Sequence, residues 1–335
     1  MIMLISVVVN CYNRADMVCT ALDSVWNQTY RPIELIIVDD GSKDNTFDVV
    51  QEWVKNHPDT EGFSTIARTF PNGKLCVARN RGLELAHGDY IQYVDDDDWL
   101  YPEAIKTKAE KLQKESRIDL LVNQLDYICE GRKINETHIS LPVITDKDNM
   151  LLHLLTHECM ISAVLMFRTE TLRRIGAWTP GLVFADDMEI TCRLAIEGGK
   201  FAIVERNLSG YRIHGSIRQC NTVRQKLPYD FCPKLFFGLY SLARKQGLDS
   251  EEIRSAFASK LREDAMDFIH IGRFDSAYYC LASADAIKER KQELPLFTIP
   301  IRYPLTWHLR RSFWQLRGFL KSFLKFVVKL SRIMT

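Results

Sequence analysis

Apolar positions in the first hundred residues fall into short runs that alternate with stretches of helical spacing. Residues 4–9 (LISVVV), 33–38 (IELIIV), 63–69 and 89–94 (DYIQYV) are brief and rich in apolar residues, as buried strands are. Between them, residues 15–28, 44–56 and 74–86 carry helical patterns. Strand and helix alternating at this spacing imply right-handed crossovers and a mostly parallel sheet, the α/β class. Asp44 or Asn45 is placed to cap the second helix, and Gly82 and Gly88 fall where close packing or a turn is expected. Beyond residue 100 the alternation loosens, with a helix near 102–115, a strand near 118–125 and a helical pattern near 185–198. From Pro228 to Arg290 the pattern is helical, with small and aromatic residues spaced as in packed hairpins. Pro295, Pro300 and Pro304 then precede a last helical stretch. The expected organisation is a nucleotide-binding domain over 1–225, a helical subdomain over 226–294 and a basic tail over 295–335.

A chain of 335 residues, 46% hydrophobic and 26% charged, can bury a substantial core, which argues against disorder. Its nine cysteines form no C-x-x-C pair and are odd in number, so neither a disulfide framework nor a zinc cluster is expected, and a reducing cytosol fits. The first residues, MIMLISVVVNCYNR, lack a basic leader, and no segment offers the roughly 18 apolar residues of a membrane span. A soluble or peripheral protein is expected. The net charge of +1 hides an asymmetry: residues 301–335 hold eight Lys/Arg and no Asp/Glu, leaving 36 basic against 43 acidic residues before them.

Ligands of open parallel sheets bind beyond the carboxyl ends of the strands, and three polar clusters fall there. Asn10-Cys11-Tyr12-Asn13 follows the first strand, Asp39-Asp40-Gly41-Ser42 the second, and Asp95-Asp96-Asp97-Asp98 the fourth. Four consecutive acids are costly to ionise together without a counter-charge, and a hard divalent cation such as Mg²⁺ or Mn²⁺ is the usual one. A nucleoside diphosphate would complete its shell. A solvated acidic turn is the simpler reading of the run, as a turn followed by a helix cap is of Asp39 to Ser42.

The segments SVVVNCYNRAD, IIVDDGSKDNT, ARNRGLELAHGDYIQYVDDDDW, FADDMEITCRL and YRIHGS, in this order, resemble the motifs of family 2 glycosyltransferases with the GT-A fold. The similarity runs over roughly residues 4–217. It implies a Rossmann-like, mostly parallel sheet flanked by helices, followed here by a C-terminal helical extension. It further implies that Tyr12 and the backbone at Cys11 flank the nucleotide base, with Asp39 accepting from a base N–H such as uracil offers. Arg79 would partner the diphosphate or the Asp95 cluster. Asp97 would hold the metal, Asp95 and Asp96 would face the ribose or donor sugar, and His214 would close over the pyrophosphate or metal. Asp187, in the Asp186-Asp187 pair that stands where the family has Glu-Asp, would be the catalytic base; without the resemblance both acids read as helix N-terminal residues. A carboxylate at that terminus tends to stay ionised. The family's Pro and its Thr or Ser are replaced by Asn10 and Cys11.

The implied reaction is an inverting, single-displacement hexosyl transfer from a nucleotide sugar, with UDP favoured by Asp39, to a glycan or lipid-linked glycan in surface polysaccharide synthesis. A GDP- or dTDP-sugar donor and a catalytically silent membrane-associated partner protein are the alternatives. In the tail, Arg317, Lys321, Lys325 and Lys329 share one helical stripe, while Leu316, Phe319, Leu320, Phe323, Leu324, Val327 and Leu330 share the opposite face. Such a helix suits the headgroup layer of an anionic membrane, or a protein partner. Nucleic acid is not expected, because the body is acidic. A cytoplasmic protein, peripheral on the inner face of the cell membrane, is the resulting expectation.

Overall fold

The structure is a computed structural model and describes residues 3–115, 117–142, 146–157, 161–213 and 219–291. His214 and the basic tail lie outside the described residues.

The alternating pattern resolves into β1 (Ile5–Cys11), α1 (Val18–Trp26), β2 (Ile33–Asp39), α2 (Thr46–Asn56), β3 (Phe63–Thr69), α3 (Leu75–Leu85) and β4 (Tyr90–Asp95). β1 and β2 are buried at every position, because central strands of a parallel sheet are covered on both faces. Their side chains therefore sort by parity. Val8, Ile36, Val38, Ile91 and Tyr93 pack in the layer of α3, whereas Val7, Val9, Leu35, Ile37 and Val94 pack in the layer of α1 and α2. α1 meets the sheet through Val18, Ala21, Leu22 and Val25, the stripe of an amphipathic helix. At the start of α2, Asp44 Oδ1 accepts from the Thr46 amide at 3.0 Å, while Asn45 makes no side-chain cap bond.

Past β4 come β5 (Trp99–Leu100), α4 (Ala104–Lys114), β6 (Leu120–Cys129), β7 (Arg132–Glu136), α5 (Lys147–Thr156), a 3₁₀ turn (Ser162–Val164), β8 (Leu165–Arg168), α6 (Thr169–Arg174), α7 (Asp186–Ile196) and β9 (Phe201–Ile213). The sheet runs β3-β2-β1-β4-β8-β6-β9-β5, with β7 beside β6. Parallel pairing holds through the first four strands of that order. Beyond β4 the sheet is mixed, since β8 pairs antiparallel with both β4 and β6 while β6 and β9 run parallel. Gly210 of β9 has a steric reason to be glycine: a Cβ there would stand 2.3 Å from the Trp99 ring.

The remaining helices are α8 (Gln219–Lys226), α9 (Phe231–Lys245), α10 (Glu251–His270) and α11 (Phe274–Lys288). Phe236, Tyr240, Phe257, Leu261, Phe268 and Cys280 join the apolar cluster that also holds α5 and α7, so the helical segment extends one face of the sheet domain. Among the described residues no helix is long and apolar enough to cross a membrane.

Candidate active site

Three strand ends and one helix start converge at the carboxyl edge of the parallel strands. The loops after β1 and β2 are tied together: the Asn13 amide donates to Ser42 Oγ at 2.9 Å, and the Lys43 amide donates to Asn13 Oδ1 at 2.7 Å. Asn13 adopts φ +53°, a left-handed conformation that asparagine tolerates. Gly41 is required outright, having φ +74° and a Cβ direction only 2.8 Å from the Phe70 carbonyl oxygen. Asp39 is buried at the end of β2, where Thr69 Oγ1 donates to Oδ2 at 2.7 Å and the Ser42 amide and hydroxyl donate to the same carboxylate. Asp40 turns the other way and accepts from the amides of Gly73 and Lys74, each at 2.8 Å, and from Arg81 at 2.9 Å, thereby fixing the start of α3.

Cys11 is buried with its thiol toward Asp39 Oδ1, 4.0 Å away. Burial first, and the Asp39 charge second, push that thiol far up, which disfavours the thiolate that a nucleophile or metal ligand needs. Tyr12 is exposed, and its amide donates to Asp96 Oδ2 at 3.0 Å, joining the first cluster to the acidic run.

The four acids have different partners. Asp95 accepts from Arg79 at 3.3 Å and from Ser162 Oγ at 3.1 Å. Arg14 lies 3.6 Å from Asp96 and 3.8 Å from Asp97. Burial, reinforced by Asp97 and Asp95 against the Tyr12 amide and Arg14, lifts the Asp96 carboxyl to about 7. Asp98 points inward, accepts from the Arg212 amide at 2.9 Å, and is raised well above the carboxylate range, chiefly by burial. The solvated-turn reading therefore fails for Asp98, which is buried, and Asp96 is half-buried.

α7 contributes Asp186 and Asp187 in its first turn, after Ala185 in the left-handed region at φ +58°. Arg79, 1% exposed, joins the two halves of the site. Its guanidinium reaches Asp186 at 2.5 Å, Asp187 at 3.4 Å and Asp95 at 3.3 Å, and stacks on Trp178 at 4.3 Å. Burial, and then the neighbouring Asp186 charge, raise the Asp187 carboxyl well above the usual value against the pull of Arg79 and the Ser162 amide.

Cys11, Tyr12, Asp39, Arg79, Asp95, Asp96, Asp97 and Asp187 thus border one continuous region; His214 lies outside the described residues. Arg14, Ser162, Trp178 and Arg212 belong to it as well. Arg14 had a signal, its place in the Tyr12-Asn13-Arg14 run; Ser162 and Trp178 had none, because only the fold brings them to Asp95 and Arg79.

A parallel half-sheet with carboxylates and a buried arginine at its carboxyl edge, extended by a mixed half, is the GT-A class of α/β fold. The S. aureus TarS fragment 1-349, solved in complex with UDP-GlcNAc, shares that fold with a TM-score of 0.58 over 85% of this chain and 92% of that one, at 15% identity. The chain belongs to glycosyl transferase family 2, whose pattern its residues 6–176 match. The uncharacterized glycosyltransferase YibD of Escherichia coli (strain K12) is 33% identical over 138 residues, 41% of this chain and 38% of that protein. The poly(ribitol-phosphate) beta-glucosyltransferase of Bacillus spizizenii is 34% identical over 134 residues, 39% of this chain and 20% of that protein. The chain thus spans well under half the length of these two relatives.

Proposed function

We propose that this chain transfers a sugar from a UDP-sugar to a hydroxyl of a glycan or lipid-linked glycan, with inversion at the anomeric carbon. The observation that carries the reading is the convergence on Arg79 of Asp95, from a strand end, and Asp186-Asp187, from a helix start about ninety residues away. Asp39 supports a uracil base in the donor, since its oxygens keep lone pairs beyond those taken by Ser42 and Thr69 and can accept a base N–H. The UDP-GlcNAc held by TarS is a donor of this class.

Asp187 takes the proton of the acceptor hydroxyl as that oxygen bonds to the anomeric carbon. The bond from that carbon to the diphosphate oxygen breaks on the opposite side, and UDP departs with the electron pair. A carboxyl raised by burial suits this task, because its basicity lies nearer neutral pH than that of an exposed aspartate. Arg79 holds Asp95 and Asp187 in one frame and places positive charge beside the departing diphosphate.

The donor set fits a hard divalent cation. Asp95, Asp96 and Asp97 offer carboxylate oxygens, and the Asp96 carboxyl is lifted by burial first and by the charges of Asp97 and Asp95 after it. Among the described residues no group of three His, Cys, Asp or Glu is placed to hold a metal ion, and Asp97 is the residue that would hold Mn²⁺ or Mg²⁺. When bound, the ion supplies Lewis-acid stabilisation of the leaving diphosphate. The cationic, amphipathic C-terminal stretch supports work at an anionic membrane surface.

The test is Asp187→Asn. UDP affinity should stay within about twofold while transfer falls by at least about a hundredfold. Turnover retained in this variant would move the base to another residue.

A further inference from the structure

Asn10 is only 5% exposed, yet among the described residues neither its Oδ1 nor its Nδ2 has a hydrogen-bond partner. A buried, unsatisfied amide opposes folding, and a native structure that keeps one calls for a reason. The strand register sets Asn10 between Val38 on β2 and Asp95 on β4. Alternation along β1 turns it to the sheet face of Val8, which α3 covers. Gly82 of α3 sits directly over Val8, where a Cβ would come within 2.4 Å of Val8 Cγ1. Two residues onward along the strand is about 6.6 Å and four residues back along the antiparallel helix is about 6 Å, so the turn bearing Ala78 and Arg79 covers Asn10.

Arg79 carries the next orphan. Its terminal nitrogens serve Asp95, Asp186 and Asp187, but its Nε has no partner among the described residues. Among the described residues this side of the sheet thus holds unmatched donors at Asn10 Nδ2, Arg79 Nε and Trp178 Nε1, and an unmatched acceptor at Asn10 Oδ1. The group that completes it must accept from a nitrogen and donate to an oxygen. A hydroxyl does both, whereas a phosphate oxygen only accepts.

The sheet faces decide which hydroxyl. Cys11 and Asp39, beside the base, belong to the opposite parity, while Asn10 shares its face with Asp95 and, through Arg79, with Asp187. The donor's anomeric carbon must meet Asp187, so the transferred sugar is the portion nearest Asn10. We propose that Asn10 is a specificity-determining residue whose amide, with Arg79 Nε, binds a hydroxyl of the transferred sugar. This deepens the UDP-sugar reading and rests on it. Because Asn10 is covered, the assignment requires the Arg79 turn to move off it when the hydroxyl is seated.

The test uses the full chain and its Asn10→Leu variant, near-isosteric but unable to hydrogen-bond. Unliganded melting is measured first, then calorimetric titration, with Mn²⁺ present, of UDP, UDP-glucose, UDP-galactose and UDP-GlcNAc. Losing the orphaned amide should raise the melting temperature by about 2 °C or more. UDP affinity should be unchanged, while the UDP-sugar that the wild type prefers should bind about tenfold more weakly. A lower melting temperature would mark Asn10 as a structural group with an ordered water as partner and overturn the assignment. Equal weakening of UDP and UDP-sugar, unchanged affinity for the preferred sugar, or a wild type that binds every UDP-sugar no tighter than UDP would overturn it as well. A wild type that binds neither UDP nor any UDP-sugar would instead sink the donor reading itself, and this assignment with it.

Discussion

Lys108 offers a sharp test of the energetics behind the site. It occupies the stripe of α4 shared by Ala104, Ile105 and Leu112, the face that packs on the sheet, and it is completely buried. Its Nζ donates to Gln92 Oε1, and Gln92 in turn donates to the carbonyls of Tyr93 and Ala163, the latter beside Ser162 of the site. Burial lowers the Lys108 amine from 10.5 to about 7. Between those values the unfolded chain holds a proton that the folded chain releases, so stability rises with pH across roughly 7 to 10.5 and falls as pH drops through that window. Each pH unit is worth about 1.4 kcal/mol, which makes the penalty about 4 kcal/mol at pH 7 and under about 1 kcal/mol at pH 10. Lys108→Met removes this term but leaves Gln92 Oε1 without its donor, at a cost of about 1–3 kcal/mol. The variant should therefore be more stable than the wild type by about 1–3 kcal/mol at pH 7 and less stable at pH 10. Urea unfolding of both proteins between pH 6.5 and 10 reads the crossing directly. A stability difference independent of pH would mean that Lys108 is charged in the fold, and the reasoning would fail.

The remaining predictions concern the site and the tail. Asp97→Asn should weaken UDP binding in Mn²⁺ about tenfold or more while changing it little in chelator; titrations that show the same loss in both buffers would remove Asp97 from the metal. Deleting residues 305–335 should release the protein from liposomes rich in anionic lipid in a flotation assay, and persistent binding would place the membrane contact elsewhere.

Much of this site was legible along the chain because its acids and its first polar loop sit in contiguous runs at strand ends. The runs of apolar residues in β1, β2 and β4 announced buried strands, and the ends of those strands located Asp39 and Asp95 to Asp98 with no knowledge of contacts. The antiparallel insertion of β8 was not legible: Leu165–Arg168 is four residues long and has no period to read. Nor was β9, whose thirteen residues mix apolar and polar positions and bulge against β6.

By itself, then, the sequence determined the parallel half of the sheet, the helices around it and the identity of the acids, all consequences of local periodicity and of residues adjacent in the chain. Tertiary structure decided what those acids experience. Only packing could bury Asp98 and half-bury Asp96 while Arg14 reaches Asp97, or withdraw Asp187 from water far enough for desolvation to raise its carboxyl. Only packing, too, could set Arg79 between Asp95 and Asp186-Asp187 and cover Asn10 beneath it. Desolvation and charge coupling depend on distance in space, and these partners lie between about sixteen and over a hundred residues apart in the chain.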